Sequence, residues 1–411
     1  MVNIIAWIVL GAIILDTILG AVMNYLNLKS MRAPLPDEFS DVYDEERYTK
    51  AGEYGAEKTR FSIITSLYSA AILLLFWFLG GFNALDVWVR GLEYGEIITG
   101  LIFISALMIG SSLLTMPFGI YNTFSIEERY GFNKTTWKTY ITDKVKSTLL
   151  GALIGLPLLA GILAAFEYLG DYAWLVGWSG VVLFSLIMQY IAPTWIMPLF
   201  NKFEDLEEGS LREKITNYAD NVSFPLKNIL VMDGSKRSAH SNAFFTGFGK
   251  NKRIALFDTL IENHEEDELL AVVAHEIGHY KKRHIIKSTL ISFAYTGIMF
   301  FLLGLALQSE MLFEAFYMEN MSVYAGLIFF GLLYQPVNMI ISPIMQALSR
   351  KHEYEADEWA SKTTGKPEYM ISALKKLSAD NLSNLTPHPF YVFMNYSHPP
   401  VLQRIRAIRK T

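Results

Sequence analysis

Seven blocks of predominantly apolar residues run through the chain, at about 3–28, 61–82, 97–121, 148–169, 172–200, 286–308 and 321–347. Each is about 20 residues or longer, the length an α-helix needs to cross the hydrocarbon core of a bilayer. In lipid an unpaired backbone N–H or C=O has no water to turn to, so helices or closed barrels alone can span. Composition points the same way, with 52% hydrophobic against 18% charged residues and a mean hydropathy of +0.27. The first block lacks a basic leading region and is too long to read as a cleaved leader.

The basic residues orient these spans. With the N-terminus outside and seven crossings, the outer loops fall near 83–96, 170–171 and 309–320. Of the 35 Lys and Arg, only Arg90 lies in them. Cytosolic loops carry the excess of Lys and Arg, so the C-terminus and the two large polar segments, 201–285 and 348–411, are expected in the cytosol. The chain divides accordingly into a five-helix membrane part (1–200), a polar segment (201–285), spans six and seven (286–347) and a C-terminal polar segment (348–411).

The polar segments contain no low-complexity run and no internal repeat. Residues 210–222 read as an amphipathic helix, 226–233 and 252–257 as short strands, and 263–283 as one helix. This is a small α+β unit leading straight into span six. A net charge of −5, a pI near 6.0 and the lack of a basic stripe with interleaved aromatics exclude nucleic acid as a partner. The absence of cysteine excludes disulfides, thiolate ligands and a cysteine nucleophile. Any metal must be held by His, Asp, Glu, carbonyls or water.

Chemistry concentrates in His275-Glu276-Ile277-Gly278-His279. Positions i and i+4 share a helix face, so the two imidazoles can hold one Zn²⁺ and Glu276 can act as base on a water there. The local sequence EEDELLAVVAHEIGHYKK begins acidic and ends basic, as the helix dipole favours. A catalytic zinc usually takes three protein ligands and an open position. Candidates for the third are His284, Glu353, Glu355, Asp357 and His398. Glu353 and Asp357 stand at i and i+4 on a helix continuing span seven, so one can ligate while the other orients a ligand histidine.

Taken together, these motifs resemble the type I CAAX prenyl endopeptidases, the sterile-24-type integral-membrane zinc proteases. The residues that carry the resemblance are DGSKRSAHSNAFFTGFGKNKRIALFDTL at 233–260, HEIGHYKKRH at 275–284, SRKHEYEAD at 349–357, NYSHPPVLQRIRAI at 395–408 and IEERYGFNKTT at 126–136. The resemblance implies a mainly α fold of seven transmembrane helices enclosing a chamber, with a cytosolic α+β zinc peptidase domain of the gluzincin type. It implies His275, His279 and Glu353 as zinc ligands, Glu276 as general base and Asp357 as the residue behind a ligand. It sets Asn242 on a strand that holds substrate backbone by β-augmentation. His398 and Arg404 match catalytic residues near the zinc, an imidazole there being able to donate to an oxyanion. His284 matches a family histidine that is not a ligand. His240, His264, His352 and His388 read as polar surface or structural residues.

The implied substrate is a peptide or protein with a prenylated C-terminal C-a-a-X sequence. Position 355 is glutamate where the family often has glutamine. The chain's length and the lack of an endoplasmic-reticulum retention tail favour a bacterial inner membrane over the endoplasmic reticulum of a eukaryote. An alternative assignment is general quality control of membrane proteins by the same protease. A transporter or metal-binding scaffold is a further alternative, because Pro157, Pro193, Pro198 and Pro336 can interrupt spans. Against it, the spans carry few charges and the histidine motif lies outside them.

Overall fold

The computed structural model describes residues 3–246 and 252–411. Residues 247–251, within the 233–260 motif, lie outside the described residues. Five long helices come first: α1 (Ile4–Ser30), α2 (Glu45–Phe78), α3 (Glu96–Tyr121), α4 (Trp137–Tyr168) and α5 (Ala173–Ile191). Next comes a polar stretch with strands β1 (Phe203–Asp205), β2 (Leu226–Met232), β3 (Ala243–Thr246) and β4 (Lys252–Phe257). It also holds helices α6 (Ser210–Asn221) and α7 (Glu266–Lys281). Helix α8 (His284–Ala306) re-enters the membrane, and α9 (Val323–Leu333) turns by 57° into α10 (Gln335–Thr364). Helices α11 (Pro367–Asp380) and α12 (Val401–Ile408) complete the chain. Among the described residues six helices are long and apolar enough to span by themselves, and the count is seven when the bent pair α9–α10 is taken as one span.

The boundaries depart from the apolar blocks where helix chemistry and lipid chemistry differ. Helix α2 starts at Glu45, capped by the Asp44 side chain on the Arg47 N–H, some four turns before its apolar block. The segment EERYTKAGEYGAEKTR is polar yet rich in helix formers. The same helix stops before Phe82. Gly80 adopts φ +73°, and Phe82 belongs to a separate short helix, Gly81–Arg90. Pro157 sits inside an unbroken α4, whereas Pro336 opens α10 just past the bend. The single helix expected over 263–283 is shorter. A capping box between Glu265 and Glu268 starts α7 at Glu266, and a separate turn of helix ends at Asn263.

The sheet has the order β1-β2-β4-β3, with β2 and β4 parallel and the outer pairs antiparallel. Its apolar face packs on α6 and α7 through Ile215, Ile254, Leu256, Val273, Ala274 and Ile277, all buried. Burying a side chain of this size contributes about 1.5–3 kcal/mol. The histidine helix is therefore clamped on one side by a sheet. On its other side it meets α10 closely, because a Cβ on Gly278 would come within 3.2 Å of the Ala356 backbone and 3.1 Å of Trp359.

In the membrane half, long apolar side chains such as Leu149, Leu153, Ile298 and Leu305 are exposed, as contact with lipid allows. A cavity of about 470 Å³ between α1, α2 and the start of α10 is lined by Asp16, Asn24, Ser62, Ser66 and Gln335. Gln335 donates to Asp16 at 3.1 Å. An ionised group at mid-span avoids lipid by facing such a cavity.

Candidate metal centre

Helix α7 carries Glu266, Asp267 and Glu268 in its first turn and His279 and Lys281 in its last, matching the helix dipole at both ends. One turn apart, His275 and His279 bring their Nε2 atoms to 3.1 Å from each other. Across the Gly278 contact, α10 supplies Glu353. Its Oε1 lies 3.2 Å from His279 Nε2 and its Oε2 3.5 Å from His275 Nε2. The three donor atoms fall within 4.8 Å of one another, and this is a group able to hold a metal ion.

The surroundings suit a cation. Glu353 is only 5% exposed, and among the described residues its Oε2 has no hydrogen-bond partner. A buried carboxylate oxygen without a hydrogen bond is costly, and a bound cation offsets that cost. Two imidazole nitrogens and a carboxylate, with no thiolate, form a donor set that zinc accepts. Burial opposes a charge on His275, but the carboxylates of Asp357 and Glu353 outweigh it and push its pKa up to about 9. The pocket thus favours positive charge. Burial pushes the Glu276 carboxyl up from its ordinary value.

Behind the cluster stands a second layer. Asp357, one turn beyond Glu353 on α10, lies 2.9 Å from His275 Nδ1. Arg404, from α12, grips both Asp357 oxygens at 2.8 and 2.6 Å and lies 3.4 Å from Glu353 Oε2. Arg404 is buried, and its guanidinium is occupied by these carboxylates. His398 is different. Its Nε2 lies 3.4 Å from Glu353 Oε1, its Nδ1 meets Ser397 Oγ at 2.9 Å, and most of its side chain is open. Asn242 is exposed and immediately precedes the edge strand β3. Its carbonyl accepts the Phe257 N–H, and its side chain accepts the Ala243 N–H.

His284 does not join the three donors. Its Nδ1 lies 3.0 Å from His279 Nδ1 and its Nε2 2.9 Å from Glu355 Oε2. His352 stacks on its ring at 4.0 Å. Sequence reasoning offered Glu355 only as a candidate third ligand and His352 as a polar surface or structural residue, and it left Gly278 without its packing function. The i, i+3 spacing of His352 and Glu355 on one helix was the available signal.

A multi-span helical body with a His–His–Glu group and a glutamate beside the first histidine defines a class, the integral-membrane metallopeptidases. Within it, residues 24–202 match the family described as CAAX prenyl protease N-terminal, five membrane helices, and residues 205–411 match peptidase family M48. The chain belongs to this family. It is 38% identical to CAAX prenyl protease 1 homolog of Arabidopsis thaliana, over 97% of this chain and 96% of that one. The human CAAX prenyl protease 1 homolog is 35% identical over 91% of this chain and 88% of its own length. The crystal structure of S. mikatae Ste24p superposes with a TM-score of 0.92 at 34% identity, covering 98% of both chains. The protein is a multi-pass membrane metalloprotease.

Proposed function

We propose that this protein is a zinc endopeptidase that cleaves near the C-terminus of prenylated C-a-a-X peptides, with His275, His279 and Glu353 as zinc ligands. The observation that carries this reading is the buried Glu353 carboxylate, whose two oxygens lie 3.2 Å from His279 Nε2 and 3.5 Å from His275 Nε2. A zinc ion held there supplies Lewis acidity, lowering the pKa of a water and polarising a carbonyl.

The chain's own residues do the rest. Glu276 takes the proton of the attacking water and delivers it to the departing amine. Burial raises its proton affinity, which suits a group that must hold a proton between those two steps. His398 is open to substrate and donates to the developing oxyanion. Asp357 orients His275, and Arg404 acts through Asp357 as a positioning residue. Among the described residues β3 pairs only with β4, so its outer edge can take an extended peptide as a further strand, starting beside Asn242.

The division 1–200, 201–285, 286–347 and 348–411 assigns the site to the two polar segments. The charge asymmetry puts both on the cytosolic face, of a bacterial inner membrane or, in a eukaryotic host, of the endoplasmic reticulum. Cleavage of a farnesylated C-a-a-X peptide beside its unprenylated twin tests the substrate. The farnesylated peptide is expected to be cut faster, because its lipid gains ~0.8 kcal/mol per buried CH₂. Equal rates would favour quality control of membrane proteins instead.

A further inference from the structure

On a continuing α7, His284 would sit about 140° around the helix from His279, at 3.6 residues per turn. The chain does not continue. Lys282 closes the helix, and Arg283 adopts the left-handed conformation, φ +58° and ψ +33°. That is a costly setting for a residue with a side chain. It turns the backbone so that His284, now the first residue of α8, points back at His279. The imidazole is 3% exposed and flat against His352. It touches His279 Nδ1 on one side and Glu355 on the other.

Hydrogen bookkeeping then allows one direction. His279 Nε2 faces His275 Nε2 and Glu353 and must present its lone pair to a metal. The hydrogen of His279 is therefore on Nδ1, donated to His284 Nδ1. His284, accepting there, carries its own hydrogen on Nε2 and donates it to Glu355. Two N–H groups could not face each other at 3.0 Å.

We infer that His284 and Glu355 form a relay that fixes the tautomer and orientation of His279, making both of them positioning residues for the metal site. The relay is the counterpart of Asp357 behind His275, with an imidazole inserted between ligand and carboxylate.

The inference rests on the metal reading above, and its test is read on zinc affinity. Full-length protein in detergent is titrated with zinc against a chromophoric chelator, and the melting temperature of each metal-free variant is taken in parallel. His284→Phe keeps the stacked ring but offers no acceptor. It is expected to weaken zinc binding ~10–100-fold, the usual effect of losing the partner behind a ligand. Glu355→Leu should weaken it about tenfold, and Glu355→Gln should stay within about threefold of the parent. A role confined to packing would lower the melting temperature without this split between Leu and Gln. Unchanged affinity in both His284→Phe and Glu355→Leu overturns the relay, as does a Gln variant as weak as the Leu variant. If His284→Phe does not fold, the Glu355 pair decides alone. A parent protein that takes up no zinc would instead defeat the metal reading itself.

Discussion

Two buried carboxylate–arginine clusters lie on opposite faces of the membrane part, and they differ in one atom. On one side Asp86 is 0% exposed, and both its oxygens are partnered. The Tyr324 hydroxyl donates to one, and Arg90 holds the other at 2.9 Å while reaching Glu96 at the same distance. On the other side Arg404 likewise saturates Asp357. Beside that pair, however, among the described residues Glu353 Oε2 has no hydrogen-bond partner, and it lies 3.5 Å from His275 Nε2 while Oε1 lies 3.2 Å from His279 Nε2. A fully satisfied buried network is a structural device, whereas a half-satisfied one is worse than an apolar core unless something completes it. The contrast separates the cluster that holds the fold from the one that holds a ligand.

The strongest way to break this contrast is to remove the unsatisfied group. Glu353→Ala is expected to abolish both zinc retention and peptidase activity, whereas Glu276→Gln should keep near-normal zinc and lose at least ~100-fold in turnover. Metal analysis beside a peptide assay reads both, and full activity in Glu276→Gln would end the proposed mechanism. Stripping the parent protein with a chelator should mimic Glu353→Ala, and adding zinc back should restore activity in the parent alone.

A smaller effect is expected one layer out. Asp357→Ala should weaken zinc binding ~10–100-fold without abolishing it, because His275 loses the acceptor that orients it. Chelator competition measures this, and parent-like affinity would remove Asp357 from the site.

The Asp86 cluster should behave in the opposite sense. Asp86→Ala leaves the Tyr324 hydroxyl and Arg90 without their partner, at a cost of about 1–3 kcal/mol. A lowered melting temperature with unchanged zinc affinity is the expected result. A changed affinity would show that the two clusters are coupled.

The mildest test leaves function untouched and asks on which side each cluster lies. The chain has no cysteine, so single cysteines report cleanly. One at Glu314 should label from outside a cell and one at Glu207 should not; the reverse pattern would place the metal centre on the outer face.

Much of this was legible in the residues themselves. Apolar blocks long enough to span need no tertiary contact to be recognised, because the bilayer imposes the same length on every helix. The pairing of His275 with His279 and of Glu353 with Asp357 follows from the helical repeat alone. Short edge elements were not legible. Strands β1 and β3 have three and four residues, too few to show a period.

Three features were decided only by the tertiary structure. The bend of 57° between α9 and α10 directs the continuing helix over α7, and helical periodicity carries no information about crossing angles. The contact that brings Glu353 to the histidines depends on a Cβ-free position at Gly278 meeting Ala356, a distance set by two segments some 80 residues apart in sequence. The left-handed turn at Arg283 brings His284 back to His279. Spacing by itself reads a continuing helix there, because residue type does not mark arginine for positive φ. Local sequence thus determined which residues can ligate and where lipid must lie. Packing decided which carboxylate faces the donors and which histidine stands behind them, because those depend on how helices meet rather than on how each one repeats.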